Sequence, residues 1–293
     1  MTNSLTISEF RTKTRALSVL LFLPALIAST VCLGQEDNIS GTRDGQESTS
    51  EGELAKKTQN PVADLISVPI QNNFNFNIGP YNQTQSVFNI QPVVPIKLND
   101  DFNLITRTIL PVVDQPDPVS NTSQFGLGNL NTTLFLSPSK SKAVTWGVGP
   151  ILSFPTKTND LLGSNTFTIG PSAVVVGMPK DWVIGVLANQ QWSIGDAAPN
   201  QRVNAMLIQP FINYNLPKGW YLTSSPIITA NWEASGSQSS NRWVIPVGAG
   251  FGKIVKTGGP PLNINLQGFY NVVSPNQGPD WQLRFQVALL FPK

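Results

Sequence analysis

Residues 281–291, WQLRFQVALLF, alternate between apolar and polar side chains with a period of two. One face carries Trp281, Leu283, Phe285, Val287, Leu289 and Phe291, and the other carries Gln282, Arg284, Gln286 and Ala288. Successive side chains of a strand point to opposite faces, so this pattern predicts a β-strand with one apolar and one polar face. The stretch is longer than the five or six residues usual in soluble sheets, and it matches the roughly 9–11 residues that a tilted strand needs to cross a bilayer.

The same alternation recurs through the chain from residue 61 onward. It predicts twelve strands, at residues 66–78, 84–98, 102–113, 124–136, 143–155, 165–177, 182–194, 202–216, 220–232, 242–255, 262–273 and 281–291. The connections between them are alternately short and long, as in an up-and-down barrel with tight turns at one rim and longer loops at the other. The sequence therefore predicts an all-β fold, a transmembrane antiparallel up-and-down β-barrel of about 12 strands.

The tryptophans support a membrane barrel over the alternative, a secreted soluble β-protein. Every one of them lies close to a predicted turn: Trp146, Trp182, Trp192, Trp220, Trp232, Trp243 and Trp281. A soluble core would bury tryptophan in mid-strand, whereas indole rings near strand ends are typical of the aromatic girdles at the two membrane interfaces.

The N-terminus, residues 1–34, has the order of a secretory signal peptide. Basic residues at its start precede an apolar run at residues 16–28, and small residues follow up to Gly34. We expect cleavage near Gly34 and export to the outer membrane. The alternative, a lipoprotein cysteine at Cys32, is disfavoured because Val31 stands where such a signal has a small residue.

Residues 35–60 carry six acidic and three basic residues and almost no large apolar ones. Such a composition predicts a solvated, disordered periplasmic segment, in which residues 53–58 form a turn or two of helix. The predicted organisation is thus a signal peptide at 1–34, this disordered or short-helix segment at 35–60 and an outer-membrane barrel at 61–293.

The composition excludes several classes of function. Charged residues make up 12% of the chain, against about 25% in a usual soluble domain. The chain has no histidine and one cysteine, which excludes Ser-His and Cys-His nucleophile pairs and histidine-ligated metals. No cluster of lysine and arginine is present to bind nucleic acid. We therefore expect no enzymatic activity, no cofactor, no metal site and no nucleic-acid partner.

Three stretches of the sequence resemble a known group of proteins. They are NPVADLISVPIQNN at residues 60–73, WGVGP at 146–150 with FPT at 154–156, and QPFINYNLPKGWYLTSSPIITANW at 209–232. The chain over about residues 54–293 resembles Gram-negative outer-membrane proteins that carry the label "neuromedin U" in error and are related to the MetA-pathway phenol-degradation transporter family.

That resemblance implies an outer-membrane barrel that moves small solutes, aromatic or hydrophobic ones among them, and it supplies no catalytic residues. One feature departs from the pattern. Such barrels usually end on an aromatic residue, whereas Pro292 and Lys293 follow Phe291 here.

The polar faces of the strands define the candidate lumen. Its lining residues are predicted to include Arg107, Arg284, Gln209, Asn213, Asn231, Asn263, Asn265, Gln282 and Gln286. A charge that faces lipid near the midplane costs roughly 2–4 kcal/mol, so both arginines are expected to point inward, although Ile105 and Ile109 share the face of Arg107. Twelve strands lie between the eight-stranded barrels that side chains fill and the open porins of 16–18 strands, which predicts a narrow or partly plugged channel.

The leading functional hypothesis is an outer-membrane channel or transporter for small solutes. The alternatives are a closed structural barrel without transport and a barrel that acts through its surface loops. The expected partners are the lipid bilayer, the barrel-assembly machinery and an unidentified small solute.

Overall fold

The computed structural model describes residues 43–117, 120–140, 143–195, 202–234 and 241–292, with side chains from residue 51 onward. The predicted signal peptide, residues 1–34, lies outside the described residues. The helix is α1 (Arg43–Thr58). The strands are β1 (Ile66–Ile78), β2 (Gln83–Ile90), β3 (Val93–Lys97), β4 (Phe102–Pro116), β5 (Ser123–Leu127), β6 (Leu130–Pro138), β7 (Val144–Phe154), β8 (Thr168–Gly177), β9 (Trp182–Ser193), β10 (Asn204–Asn215), β11 (Trp220–Ser224), β12 (Ile228–Asn231), β13 (Trp243–Val255), β14 (Leu262–Val273) and β15 (Trp281–Phe291).

These segments form a closed antiparallel barrel with twelve strands in its wall. Three wall strands are interrupted, so that β2 with β3, β5 with β6, and β11 with β12 each occupy one position in the wall. β15 pairs with β1 from Ile66 opposite Phe291 to Phe76 opposite Trp281, and this pairing closes the barrel. The predicted fold of about twelve antiparallel strands is confirmed.

The interruptions fall at residues 91–92, 128–129 and 225–227, between the paired segments. Two of them contain a proline, Pro92 and Pro226, which has no N–H to donate to a neighbouring strand. The alternation continues on both sides of each interruption, so it predicts one uninterrupted strand at each of these three places. Pro92 and Pro226 are the sequence features that indicate two of the three interruptions.

The outer face of the barrel is apolar and is bordered by aromatic side chains. Exposed residues in its middle include Val148, Val175, Val186, Leu222, Val247 and Phe285. At the short-turn rim, Trp182 packs on Tyr214 with ring centroids 4.7 Å apart. At the long-loop rim, Trp281 packs on Tyr270, also at 4.7 Å. An apolar band between two aromatic girdles associates with a lipid bilayer.

Helix α1 lies at the short-turn end, against the turn Pro217–Gly219. Lys56 and Lys57 occupy its last turn, where positive charge is favourable. No helix in the described part of the chain is long and apolar enough to cross a membrane.

Candidate functional site

Residues 58–65 connect α1 to β1 and lie inside the barrel at its short-turn end. We call them the plug segment. Its Val62 is 4% exposed and packs into a cluster of inward-facing side chains from five wall strands, namely Ile105, Phe135, Val174, Val176, Val183, Leu187 and Phe211. Ala63 and Leu65 pack on the other side of the barrel against Ile254, Ala288 and Leu290. The interior at this end is therefore apolar, which explains why Ile105 shares the face of Arg107.

Hydrogen bonds fix the start of the plug segment. Gln59 and Asn215 exchange side-chain amide hydrogen bonds of 2.9 and 3.2 Å. Asn263 donates from Nδ2 to Thr58 Oγ1 at 3.1 Å. Asn60 accepts at Oδ1 from the main-chain N–H of Val62, also at 3.1 Å, and this bond tightens the turn that carries Val62 into the barrel.

Gly147 on β7 makes room for the plug segment. A Cβ atom at this position would lie 2.8 Å from Cγ1 of Val62, closer than packed carbon atoms approach. Because residue 147 has no side chain, Val62 can pack directly against β7. We call this position the seat of Val62.

The conformation of residues 43–60 differs from the one predicted from the sequence. A solvated segment with a turn or two of helix was expected, but α1 extends over 16 residues. Ala55 is 1% and Asn60 is 5% exposed. The composition is polar, as the sequence shows, but a few small side chains suffice to dock the end of a helix on a barrel rim. Composition averaged over the segment conceals such a contact.

A cavity of about 180 Å³ lies against the plug segment in the barrel interior. Seven of the nine predicted lumen residues line it: Arg107, Arg284, Gln209, Asn213, Asn263, Asn265 and Gln286. Further polar side chains line it as well, among them those of Gln71, Gln91, Thr223 and Gln267. The cavity is thus surrounded mainly by amides and hydroxyls, with an apolar side that includes Val93, Leu187 and Phe211.

The other two predicted lumen residues lie away from the cavity, toward the long-loop rim. Gln282 donates from Nε2 to Asn271 Oδ1 at 2.8 Å. Asn231 is exposed at the end of β12, where its Oδ1 accepts from the main-chain N–H of Glu233 at 3.1 Å. Both side chains serve local structure at this end of the wall.

Arg284 is 3% exposed and is held from three directions. Its Nε donates to Asn73 Oδ1 at 2.9 Å. Its Nη1 donates to the main-chain oxygen of Ser225 at 2.8 Å and to Ser225 Oγ at 3.1 Å. The guanidinium carbon lies 5.1 Å from the ring centroid of Phe269. The side chain is therefore fixed in one orientation by neutral groups.

Arg107 lies on the inner face of β4 and lines the same cavity as Arg284. Its Nη2 donates to Gln91 Oε1 at 2.8 Å. Gln91 is 4% exposed, and its main-chain N–H donates to Pro69. The structure thus places both arginines inside the barrel, including the one whose orientation the alternation left open.

The described lining of the cavity contains three basic residues, the exposed Lys57 and the inward-facing Arg107 and Arg284, and no acidic residue. Positive charge inside a low-dielectric wall creates a strong field, because little solvent is present to screen it. This part of the lumen is therefore electropositive.

The loop at residues 155–167 lies at the opposite, long-loop end of the barrel. It folds against the inner side of β5, where Gly126 pairs with the buried Val113. A Cβ atom at Gly126 would lie 2.1 Å from Thr158 Oγ1, so only glycine permits this approach. Leu162 of the loop is 7% exposed.

No family model matches the chain, and a search of curated proteins finds no match either. Among solved structures, the chain is similar to an outer membrane channel from Pseudomonas putida F1, with a TM-score of 0.59, 18% identity, and coverage of 78% of this chain and 94% of that chain. The likeness to the NanC porin has a TM-score of 0.49 at 10% identity, covering 77% and 100% of the two chains. Outer membrane phospholipase A from Escherichia coli gives 0.42 at 13% identity, covering 83% and 98%. The similarity to the Pseudomonas putida channel shows the fold, which is that of outer-membrane barrels.

Proposed function

We propose that the protein is an outer-membrane channel for small solutes and that the plug segment controls its lumen. The observation that carries this proposal is the electropositive cavity at the plug segment. A buried charge without a counter-ion costs several kcal/mol after relaxation, and uncharged side chains could make the hydrogen bonds to neutral oxygens that Arg107 and Arg284 make in the described lining. A path for solutes that is lined by cationic side chains accounts for both arginines.

The plug segment is held in the barrel by apolar contacts and neutral hydrogen bonds, which can break and release it. Full burial of one side chain such as Val62 or Leu65 contributes about 1.5–3 kcal/mol, and the neutral amide bonds of Gln59 contribute about 0.5–1.5 kcal/mol each. These contributions hold the segment in the barrel without making its release prohibitive. Taken together they make the open state a rare one, so channel openings are expected to be infrequent.

The apolar side of the cavity supports solutes that carry an apolar part, whether aromatic or aliphatic. Val93, Leu187 and Phe211 form this side, opposite the amides of Asn263 and Asn265. A channel is favoured over a hydrolase because the chain has no histidine to serve as a general base. Export by the predicted signal peptide and insertion by the barrel-assembly machinery belong to the same proposal.

The experiment that tests this function is the conductance of two refolded chains in planar lipid bilayers. A chain that begins at residue 53 keeps the end of α1 and the plug segment, whereas a chain that begins at residue 64 lacks most of the plug segment. We expect small or infrequent conductance steps from the first chain and larger, persistent steps from the second. Folded barrels of both chains that conduct no ions and pass no small solute in liposome swelling would instead establish a closed structural barrel.

A further inference from the structure

We infer that the cavity between Arg107 and Arg284 is a binding site for a small carboxylate with an apolar body. This inference names the solute class of the proposed channel, and it rests on that proposal for the role of the bound anion as cargo. The binding itself depends only on the cavity.

The charge of the site favours an anion. In the described part of the chain the cavity is lined by the half-buried Arg107, the buried Arg284 and the exposed Lys57, and the hydrogen bonds of both arginines go to neutral oxygens. Neutral oxygens orient a guanidinium but leave its charge uncompensated, so an anion that enters the cavity supplies the missing counter-charge.

The geometry of the arginines favours a carboxylate. The hydrogen bonds to Asn73 and Ser225 use Nε and Nη1 of Arg284, and Nη2 remains available to a ligand. The hydrogen bond to Gln91 uses Nη2 of Arg107 and leaves its Nε and Nη1. Two fixed donor groups on one cavity suit the two oxygens of a carboxylate, for which guanidinium groups are the preferred partners.

The remaining wall favours an apolar body. Val93, Leu187 and Phe211 line the cavity together with Ala63 and Leu65 of the plug segment. Alkyl or aryl groups bury their surface against such side chains, whereas a fully hydrated inorganic anion does not. Because the plug segment forms part of this wall, a bound ligand contacts the segment that closes the lumen.

Isothermal titration of the refolded chain that begins at residue 35, in detergent and low-chloride buffer, tests this site with three probes. Butyrate carries both recognition elements, butyramide has nearly the same shape without the charge, and acetate lacks most of the apolar body. We expect butyrate to bind at least about tenfold more tightly than butyramide, because hydrogen bonds to a charged group are the stronger ones. Acetate is expected to bind more weakly than butyrate.

Substitutions identify the residues. Arg284→Gln and Arg107→Gln should each weaken butyrate binding at least about tenfold. Arg284→Lys keeps the charge and loses the planar fork, and we expect an intermediate affinity. The matched control is Arg242→Gln, which removes a charge outside the cavity lining, where Arg242 stacks on Trp232 at 5.2 Å. It should bind butyrate as the parent does.

Equal affinities for butyrate and butyramide, or full butyrate affinity in both glutamine variants, would overturn the site. Equal affinities for acetate and butyrate would overturn the apolar-body part. These outcomes are distinct from failure of the channel. A chain that binds butyrate but conducts nothing retains the site and contradicts the proposed function, and a conducting chain without butyrate preference does the reverse.

Discussion

Arg284 donates two hydrogen bonds from Nη1 to Ser225, one to its main-chain oxygen at 2.8 Å and one to its Oγ at 3.1 Å. Ser225 lies immediately before Pro226, in the gap between β11 and β12, so its carbonyl group can serve a side chain inside the barrel. Arg107 is held at the corresponding place by a side chain, since Gln91, whose Oε1 accepts from Arg107, precedes Pro92 in the gap between β2 and β3. Both arginines are thus anchored where a proline interrupts the wall.

The first prediction concerns ion selectivity. At about 10 Å and an effective dielectric of about 20, a unit charge acts on an ion with roughly 1.7 kcal/mol, and screening by salt reduces this. Arg284→Gln and Arg107→Gln should each lower the anion-to-cation permeability ratio of the open channel by roughly threefold to tenfold. Reversal potentials in a salt gradient measure this ratio. An unchanged ratio in both variants, in a channel that still conducts, would show that neither arginine lies on the ion path.

The second prediction concerns the seat of Val62. Gly147→Val places a side chain where Val62 packs, because a Cβ atom there meets Val62 Cγ1 at 2.8 Å. The plug segment should leave its seat more often, and the open time in bilayer recordings should rise. Gly268→Val is the control, since a Cβ atom at Gly268 meets no atom within 4 Å. Equal open times in the two variants would contradict the assigned seat.

The third prediction concerns the two faces of the closing strand. Phe285 and Gln286 are neighbours on β15, where Phe285 is exposed on the apolar outer face and Gln286 lines the cavity. Phe285→Arg should lower the free energy of unfolding in lipid vesicles by roughly 2–4 kcal/mol, the cost of arginine at the bilayer midplane. Gln286→Arg should cost less because it faces the lumen. Urea titrations followed by tryptophan fluorescence compare the two, and equal costs would refute this assignment of faces.

The barrel could be predicted from the sequence because each wall strand has two chemically different faces. The alternation in residues 281–291 identifies an outward face of Trp281, Phe285 and Phe291, and the structure pairs this strand with β1 to close the wall. Twelve such segments therefore predicted the strand number without any long-range information.

The plug segment and the strand interruptions could not be predicted in the same way. Val62 is buried by side chains from five strands, and no local pattern records contacts that only closure of the barrel creates. Inward-facing Phe135 and Phe211 also break the rule that polar residues face the lumen, because they belong to the apolar cluster that includes Val62. Gln91 and Ser225 accept hydrogen bonds from the arginines beside Pro92 and Pro226, where the strands are interrupted. The prolines can be read from the sequence, but the pairing of each interruption with an arginine cannot.

The conductance of a Val62→Cys/Gly147→Cys variant tests most directly whether the plug segment is the gate. A Cβ atom at residue 147 lies 2.8 Å from Cγ1 of Val62, and since Cγ1 is one bond from Cβ, the two Cβ atoms lie within the roughly 4.5 Å that a disulfide allows. The variant is expressed from residue 35, so that Cys32, the chain's single cysteine, is absent. We predict that the oxidised protein stays closed in planar bilayers and that a reductant added to the chamber restores channel openings, while the single variant Gly147→Cys responds to neither condition. Equal conductance of the double variant before and after reduction, with the disulfide verified by mass spectrometry, would contradict the account.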